Sequence, residues 1–256
     1  MEKEQETTKL KNEPEFNNWV RDFYNTEKQE VAKGNYEYFR WFSTPKKQRQ
    51  FRQTTFSLRH HLSDIKFKNC LDIGCGPGTW TFLLLELFPD AKFTCIDISK
   101  EMLTQFKSRV NSQNIKFAVG SFTDFPLKGK YDLIFCSRSI DYMENKQIAI
   151  RKLFDLLKSK GKGIIITSPP HPNIVKIKKA MGKKINLQHT KRISVDEMKI
   201  RLSQQGFTNI ETYPILFTDS LPEALNEKLF NDNYKKPWNR VSKMFASSYL
   251  VKFEKP

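Results

Sequence analysis

Long apolar runs are missing from this chain. The uninterrupted ones are short, such as Leu83-Leu84-Leu85 and Ile164-Ile165-Ile166. A membrane-spanning helix needs about 20 mostly apolar residues, so none is expected. The opening MEKEQETTKLKNEPEF is charged and has no apolar centre, so a secretory signal is not expected either. Glycine and proline are sparse, ten and twelve among 256 residues, which excludes collagen-like and low-complexity composition. Cysteine is scarcer still, at positions 70, 75, 95 and 136, and the gaps fit no paired C-x-x-C zinc pattern. No metal site is read from the sequence. Three of the cysteines end or border apolar runs (CLDIG, FTCID, LIFC), where a small hydrophobe packs well. They read as free thiols of a reducing compartment, which implies a cytoplasmic protein.

Acids are in deficit: 28 Asp and Glu against 44 Lys and Arg, a formal net charge of +16. The imbalance concentrates in residues 146–200, where 14 bases face only Asp155, Asp196 and Glu197. Such a patch favours an anionic partner, whether nucleic acid, an anionic membrane surface or an acidic metabolite. The plain alternative is a lysine-rich solvated surface.

With 38% hydrophobic and 28% charged residues the composition is globular, and the length suits one large domain or a domain with a cap. The pattern divides the chain into an N-terminal helical cap over 1–64 and a second part over 65–256. Phe16, Trp19 and Phe23 have helical spacing, Gly34-Asn35 breaks that helix, and Ser43-Thr44-Pro45 is a turn before a helix over 46–63. From there strands at 67–73, 92–97, 115–119, 131–136 and 162–168 alternate with helices at 79–88, 99–110 and 144–158. Ser99 is placed to cap the second of these helices, and Gly161 to stop the third. Alternation of this kind implies βαβ units, a parallel sheet and right-handed crossovers. A basic insert at about 170–193 interrupts the rhythm, its lysines lying mostly off the face formed by Ile174, Ile177, Met181 and Ile185. Ser194-x-x-Glu197 then opens a helix ending at Gly206, and strands at 207–217 and 246–253 follow. The stretch 219–245 between them gives no clear pattern.

The most informative stretch is Leu71-Asp72-Ile73-Gly74-Cys75-Gly76-Pro77-Gly78-Thr79, which leaves a strand and opens a helix. Glycines there permit positive φ and close approach of a ligand to the backbone, and the helix start offers free N–H groups. Asp97 ends the next strand, 19 residues after Gly78. In nucleotide-binding doubly wound folds an acid at that place bonds a ribose hydroxyl pair. The spacing G-x-G-x-G differs from the dinucleotide G-x-G-x-x-G. It resembles the first motif of the class I S-adenosylmethionine-dependent methyltransferases, over residues 65–168 and more loosely 194–213. Among these the layout is most similar to the quinone-biosynthesis-like, small-molecule branch.

That resemblance implies an α/β, Rossmann-like, doubly wound seven-stranded mostly parallel sheet of order 3-2-1-4-5-7-6, with strand 7 antiparallel. It implies S-adenosyl-L-methionine as cofactor and S-adenosyl-L-homocysteine as product. Gly74, Cys75 and Gly76 would lie against the methionine part, with Asp72 orienting the loop from below. Asp97 would hold the ribose hydroxyls and Ile98 would pack on adenine. The family's acid for the adenine amino group is replaced here by Ser121, with Asp124 three residues on and the Phe122 amide as a further contact. Cys136, Ser137 and Arg138, after the fourth strand, would pass near the reactive methyl group.

Methyl transfer from a sulfonium is an in-line displacement, and a base is needed only if the acceptor must lose a proton. His171, just beyond strand 5, is the first base candidate. Tyr142 stands where related enzymes often carry a His, and it suits orientation of substrate better than proton removal because a phenol titrates near 10. His189 lies beside Lys191 and Arg192. Arg138 is a candidate for an anionic substrate group, and the adjacent His60 and His61 read as structural. No Asn-Pro-Pro-Tyr motif follows strand 4, which disfavours methylation of an amide or a base's exocyclic amine. The leading reading is O-methylation of a small-molecule, lipid or sugar acceptor. The alternatives are an RNA methyltransferase using the basic surface at 146–200 and a non-enzymatic partner protein. Oligomeric state is not legible.

Overall fold

A computed structural model describes residues 13–170 and 192–256. The basic insert falls almost wholly outside the described residues. Helix α1 (Glu13–Asp22) buries Phe16 and Val20, as the aromatic spacing requires. A π-helical turn (Phe23–Glu27) follows, then α2 (Lys28–Ala32), which Lys33 and Gly34 end in left-handed conformations at φ 50° and 75°. A second π turn (Tyr38–Phe42) buries Trp41. Helix α3 (Pro45–Leu62) starts with Thr44 as cap, its hydroxyl accepting from Lys47 N, and with proline at the first position, where no amide proton is needed.

The sheet comprises β1 (Asn69–Ile73), β2 (Lys92–Asp97), β3 (Ile115–Val119), β4 (Tyr131–Ser137), β5 (Leu157–Thr167), β6 (Thr208–Phe217) and β7 (Ala246–Glu254). Its order is β3-β2-β1-β4-β5-β7-β6, parallel except that β7 runs antiparallel to both neighbours. The connecting helices are α4 (Thr79–Leu87), α5 (Lys100–Lys107), α6 (Lys146–Leu156) and α7 (Val195–Gln204). The caps read from sequence hold: Ser99 accepts from Met102 N, and Ser194 from Glu197 N.

Both faces of the sheet are covered, so the central strands bury most of their residues and alternate between two cores. Leu71, Ile73, Ile134, Ile165 and Val251 pack against Ala149, Ile150 and Leu153 of α6 and Met198 and Leu202 of α7. Leu133, Phe135, Ile164, Ile166 and Leu250 pack against Leu58 of α3, Leu84 of α4 and Phe106 of α5. No helix of the described residues is long and apolar enough to cross a membrane.

Two sequence expectations need correction. The helix over 144–158 ends at Leu156, and Gly161 does not stop it. Gly161 lies inside β5, where the pairing with β4 jumps from Leu157 to Lys162 and Lys160 takes φ 60°. The glycine serves that bulge, since a Cβ there would stand 2.8 Å from the Lys158 carbonyl oxygen. The unpatterned stretch 219–245 holds two helices, α8 (Glu223–Asn233) and α9 (Arg240–Phe245). They escape pattern reading because α8 buries polar Asn226, whose amide donates to the carbonyls of Phe217 and Thr218 and accepts from Gln53 of α3. Arg49 of α3 adds ion pairs to Asp219 and Glu223. His61 is buried against the Tyr234 carbonyl, 3.0 Å away, and burial pushes its pKa down to about 4, while His60 is exposed. Only His61 of the adjacent pair faces the core.

Candidate active site

The carboxyl ends of β1, β2 and β4 open into a cavity whose cap side is formed by Asn17 and Val20 of α1, Tyr24 of the first π turn, Tyr36, and Arg40 and Trp41 of the second. A crevice at that end of an open parallel sheet is where this architecture binds ligands. The glycine loop forms its floor. Gly74 has φ 65°, its amide donates to the Ile96 carbonyl at 2.7 Å, and a Cβ there would stand 2.3 Å from Cβ of Ser139. Gly76 has φ 56° and nothing within 4 Å of a would-be Cβ, so its bare backbone faces open space. Glycine at 74 therefore answers packing, and glycine at 76 leaves the loop approachable.

Asp97 fixes the loop from the other side. One carboxylate oxygen accepts from Gly76 N at 2.8 Å and the other from Ser99 N at 2.9 Å. Burial lifts its pKa to about 6, with the backbone amides of Ser99, Gly76 and Ile98 pulling it down. Asp72 sits beneath, accepting from Thr81 Oγ1 at 2.5 Å and so tying β1 to α4 across the loop. Its carboxyl is pushed up to about 7, chiefly by burial. The folded state therefore prefers Asp72 protonated, and the stabilisation this brings is full near pH 4 and fades as pH rises through 7. Asp72→Asn imitates the protonated form. It should gain on the wild type in unfolding free energy between pH 5 and pH 8, by the order of a few kcal/mol. Parallel pH profiles of the two proteins would contradict this.

Among the expected cofactor contacts, Gly74, Gly76, Asp97, Ile98, Ser121, Phe122 and Ser137 line the cavity. Cys75 and Cys136 do not. Both thiols are buried, Cys136 with its sulfur 3.0 Å from the Ser139 hydroxyl, and burial raises both pKa values. Their side chains pack under the loops, and a contact with cofactor from them is confined to backbone. Asp124 is occupied elsewhere: Asn17 of α1 donates from its amide to Asp124 at 3.0 Å and to Ser121 Oγ at 3.2 Å.

Of the catalytic candidates, Tyr142 lines the cavity and receives a 2.7 Å hydrogen bond from the Tyr24 hydroxyl. Burial raises both phenols, so Tyr142 keeps its proton and is a poor base. His171 and His189 lie outside the described residues. Arg138 lines the cavity in a left-handed conformation, φ 59°, its guanidinium 5.8 Å from the Trp41 ring. Burial, then the charge of Arg40, pushes its pKa down to about 9. Sequence reading did not assign Asn17, Tyr24, Tyr36, Arg40, Trp41 and Ser139, all of which line the cavity. Five of them come from the aromatic-rich cap, whose density of rings was the available signal.

Residues 66–191 match a family model described as a methyltransferase domain. Malonyl-[acyl-carrier protein] O-methyltransferase of Acetivibrio thermocellus is 37% identical over 91 residues, 36% of this chain and 32% of that protein. Trans-aconitate 2-methyltransferase of an Enterobacter species is 35% identical over 91 residues, 36% and 35% of the two chains. The match thus spans about a third of the length of these relatives. Among solved structures, magnesium protoporphyrin IX methyltransferase of Synechocystis with bound SAH superposes with a TM-score of 0.65 at 17% identity, covering 94% of this chain and 100% of that one. Phosphoethanolamine N-methyltransferase 2 of Haemonchus contortus, in complex with S-adenosyl-L-methionine, gives 0.65 at 14% identity, covering 94% and 60%. Strand order, glycine loop and matched segment agree: residues 66–191 match the methyltransferase-domain model, and the chain shares the fold of the solved methyltransferases named above.

Proposed function

We propose that this protein transfers a methyl group from S-adenosyl-L-methionine to a small-molecule acceptor, with oxygen the favoured atom, and releases S-adenosyl-L-homocysteine. The observation that carries this reading is the pairing of Asp97 with the loop: a carboxylate held by the Gly76 and Ser99 amides at the rim of a roofed cavity. Each oxygen keeps a lone pair for a further donor, which suits a vicinal diol. The open space over Gly76 suits a ligand lying on the backbone. The relatives and structural neighbours named above are methyltransferases, two of the neighbours with this cofactor or SAH bound.

S-adenosyl-L-methionine supplies a methyl group already activated on a sulfonium centre. What remains for the chain is positioning and exclusion of water. Asp97 would hold the ribose hydroxyls, Ile98 and the Phe122 amide would meet the adenine, and the Gly74–Gly76 backbone would serve the methionine part. Tyr24 and Tyr142, bonded to each other, orient the acceptor beneath the cap. The RNA reading rests on the basic stretch at 146–200, of which 171–191 lies outside the described residues.

The test is incubation with methyl-labelled S-adenosylmethionine and a cell extract, followed by separation of macromolecules from small molecules and lipids. Label in the small-molecule or lipid fraction, absent with Asp97→Ala, is expected. Label in a nuclease-sensitive precipitate would replace this reading with the RNA one.

A further inference from the structure

We propose that the acceptor is a carboxylic acid whose carboxylate seats side-on against Arg138; this rests on the methyltransferase reading above. Nε and Nη2 of Arg138 are shut off from solvent and have no hydrogen-bond partner among the described residues. These two atoms form one edge of the guanidinium. Their N–H bonds run parallel and match the two oxygens of a carboxylate. A buried guanidinium with an unanswered edge is costly unless something binds it.

No acid among the described residues supplies that partner. Asp141 is the nearest acid by electrostatic effect, but its carboxylate accepts from Thr167 Oγ1 at 2.6 Å and leaves both Arg138 atoms unmet. Asp141 also feels Lys146 and Arg192, so one carboxylate faces several cations. The cavity itself is lined by Arg40 and Arg138 against a single acid, Asp97, which is already committed to the loop amides. Lys28 and Lys47 feel the charge of Arg40, so positive charge continues outward from the cavity wall. A pocket of this sign draws in anions. The fork is also fixed in place. The Arg138 amide donates to the Ile166 carbonyl at 2.7 Å, the residue holds φ 59°, and Trp41 packs on the guanidinium. Strained backbone of this kind persists where the surroundings over-determine it.

The experiment titrates the SAH complex of the full chain with acetate, succinate and benzoate, and separately with inorganic phosphate, by calorimetry and by tryptophan fluorescence. At least one carboxylate should bind saturably in the millimolar range, at about −4 kcal/mol, or tighter. Arg138→Gln should weaken it about tenfold or more, and Arg138→Lys, which keeps the charge but loses the fork, should weaken it as well. Both should leave SAH affinity within about twofold, since the cofactor is not what this edge is meant to hold. Three results overturn the proposal: no saturable carboxylate binding to the wild-type complex, phosphate binding more tightly than any carboxylate, or a parallel loss of SAH affinity in both variants, which would assign the edge to the cofactor's own carboxylate. Failure of the wild-type protein to bind SAH at all would instead remove the methyltransferase reading, and this inference with it.

Discussion

Gly74→Ala should weaken SAH binding by roughly a hundredfold or more and lower stability by about 2–5 kcal/mol. Two separate penalties act. An L-residue at φ 65° costs about 1–2 kcal/mol. The new methyl would also stand 2.3 Å from Ser139 Cβ and 2.6 Å from its Oγ. Ser139 has little freedom to retreat, since its hydroxyl donates to the Ile73 carbonyl at 2.7 Å and lies 3.0 Å from the Cys136 sulfur. Adding Ser139→Gly in the same chain removes the clash and keeps the backbone strain. Denaturant unfolding should therefore recover the larger part of the loss in the double variant, with about 1–2 kcal/mol remaining. A single variant indistinguishable from wild type in both stability and SAH titration would show that the loop tolerates a side chain facing Ser139.

The second large effect is expected at Asp97. Asp97→Ala removes the acceptor of the Gly76 and Ser99 amides together with the proposed ribose ligand. Hydrogen bonds to a charged group contribute about 1.5–3 kcal/mol each, so losing two to the ribose should lower SAH affinity by about 10²–10⁴-fold. Asp97→Asn should fall nearly as far, because its NH₂ faces an amide donor whichever way it turns. Acidity tests the same group without mutation. Only the ionised carboxylate accepts from both amides and from a diol at once, and its pKa is raised to about 6. Wild-type affinity should be steady from pH 8 to 7 and drop by up to about tenfold per pH unit below 6. The drop should vanish in Asp97→Ala. Wild-type affinity that stays flat to pH 5 would take the ribose role away from Asp97.

Much of the sheet was legible because both its faces are buried. The inner strands then carry short apolar runs, and β2 and the edge strand β3 fall at the residues expected for them. The glycine loop and Asp97 were legible because a left-handed backbone and a buried, amide-bonded acid restrict residue type strongly. Cys75 shows the limit of such reading: the motif marks a backbone path, and the side chain inside it turns into the core. The cap was legible as an aromatic helix that could form a lid, but not which of its rings would face the cavity. Which ring faces the ligand depends on two π turns, each inserting a residue into the helical count, and no local composition announces them. Arg138 could be nominated from its place after β4. Its unanswered edge is a fact of tertiary packing, set by Trp41 nearly a hundred residues earlier.

The place of β7 has a consequence for how the chain reaches this fold. The last strand in chain order fills the slot between β5 and β6, pairing with residues 157–167 on one side and 208–217 on the other. Until residues 246–254 have emerged during synthesis, both of those strands present open, apolar edges. The nascent chain is then at its most exposed to edge-to-edge association. Closure of the sheet waits on its final segment, so substitutions in β7 should depress the yield of soluble protein more than their cost to the finished structure would suggest.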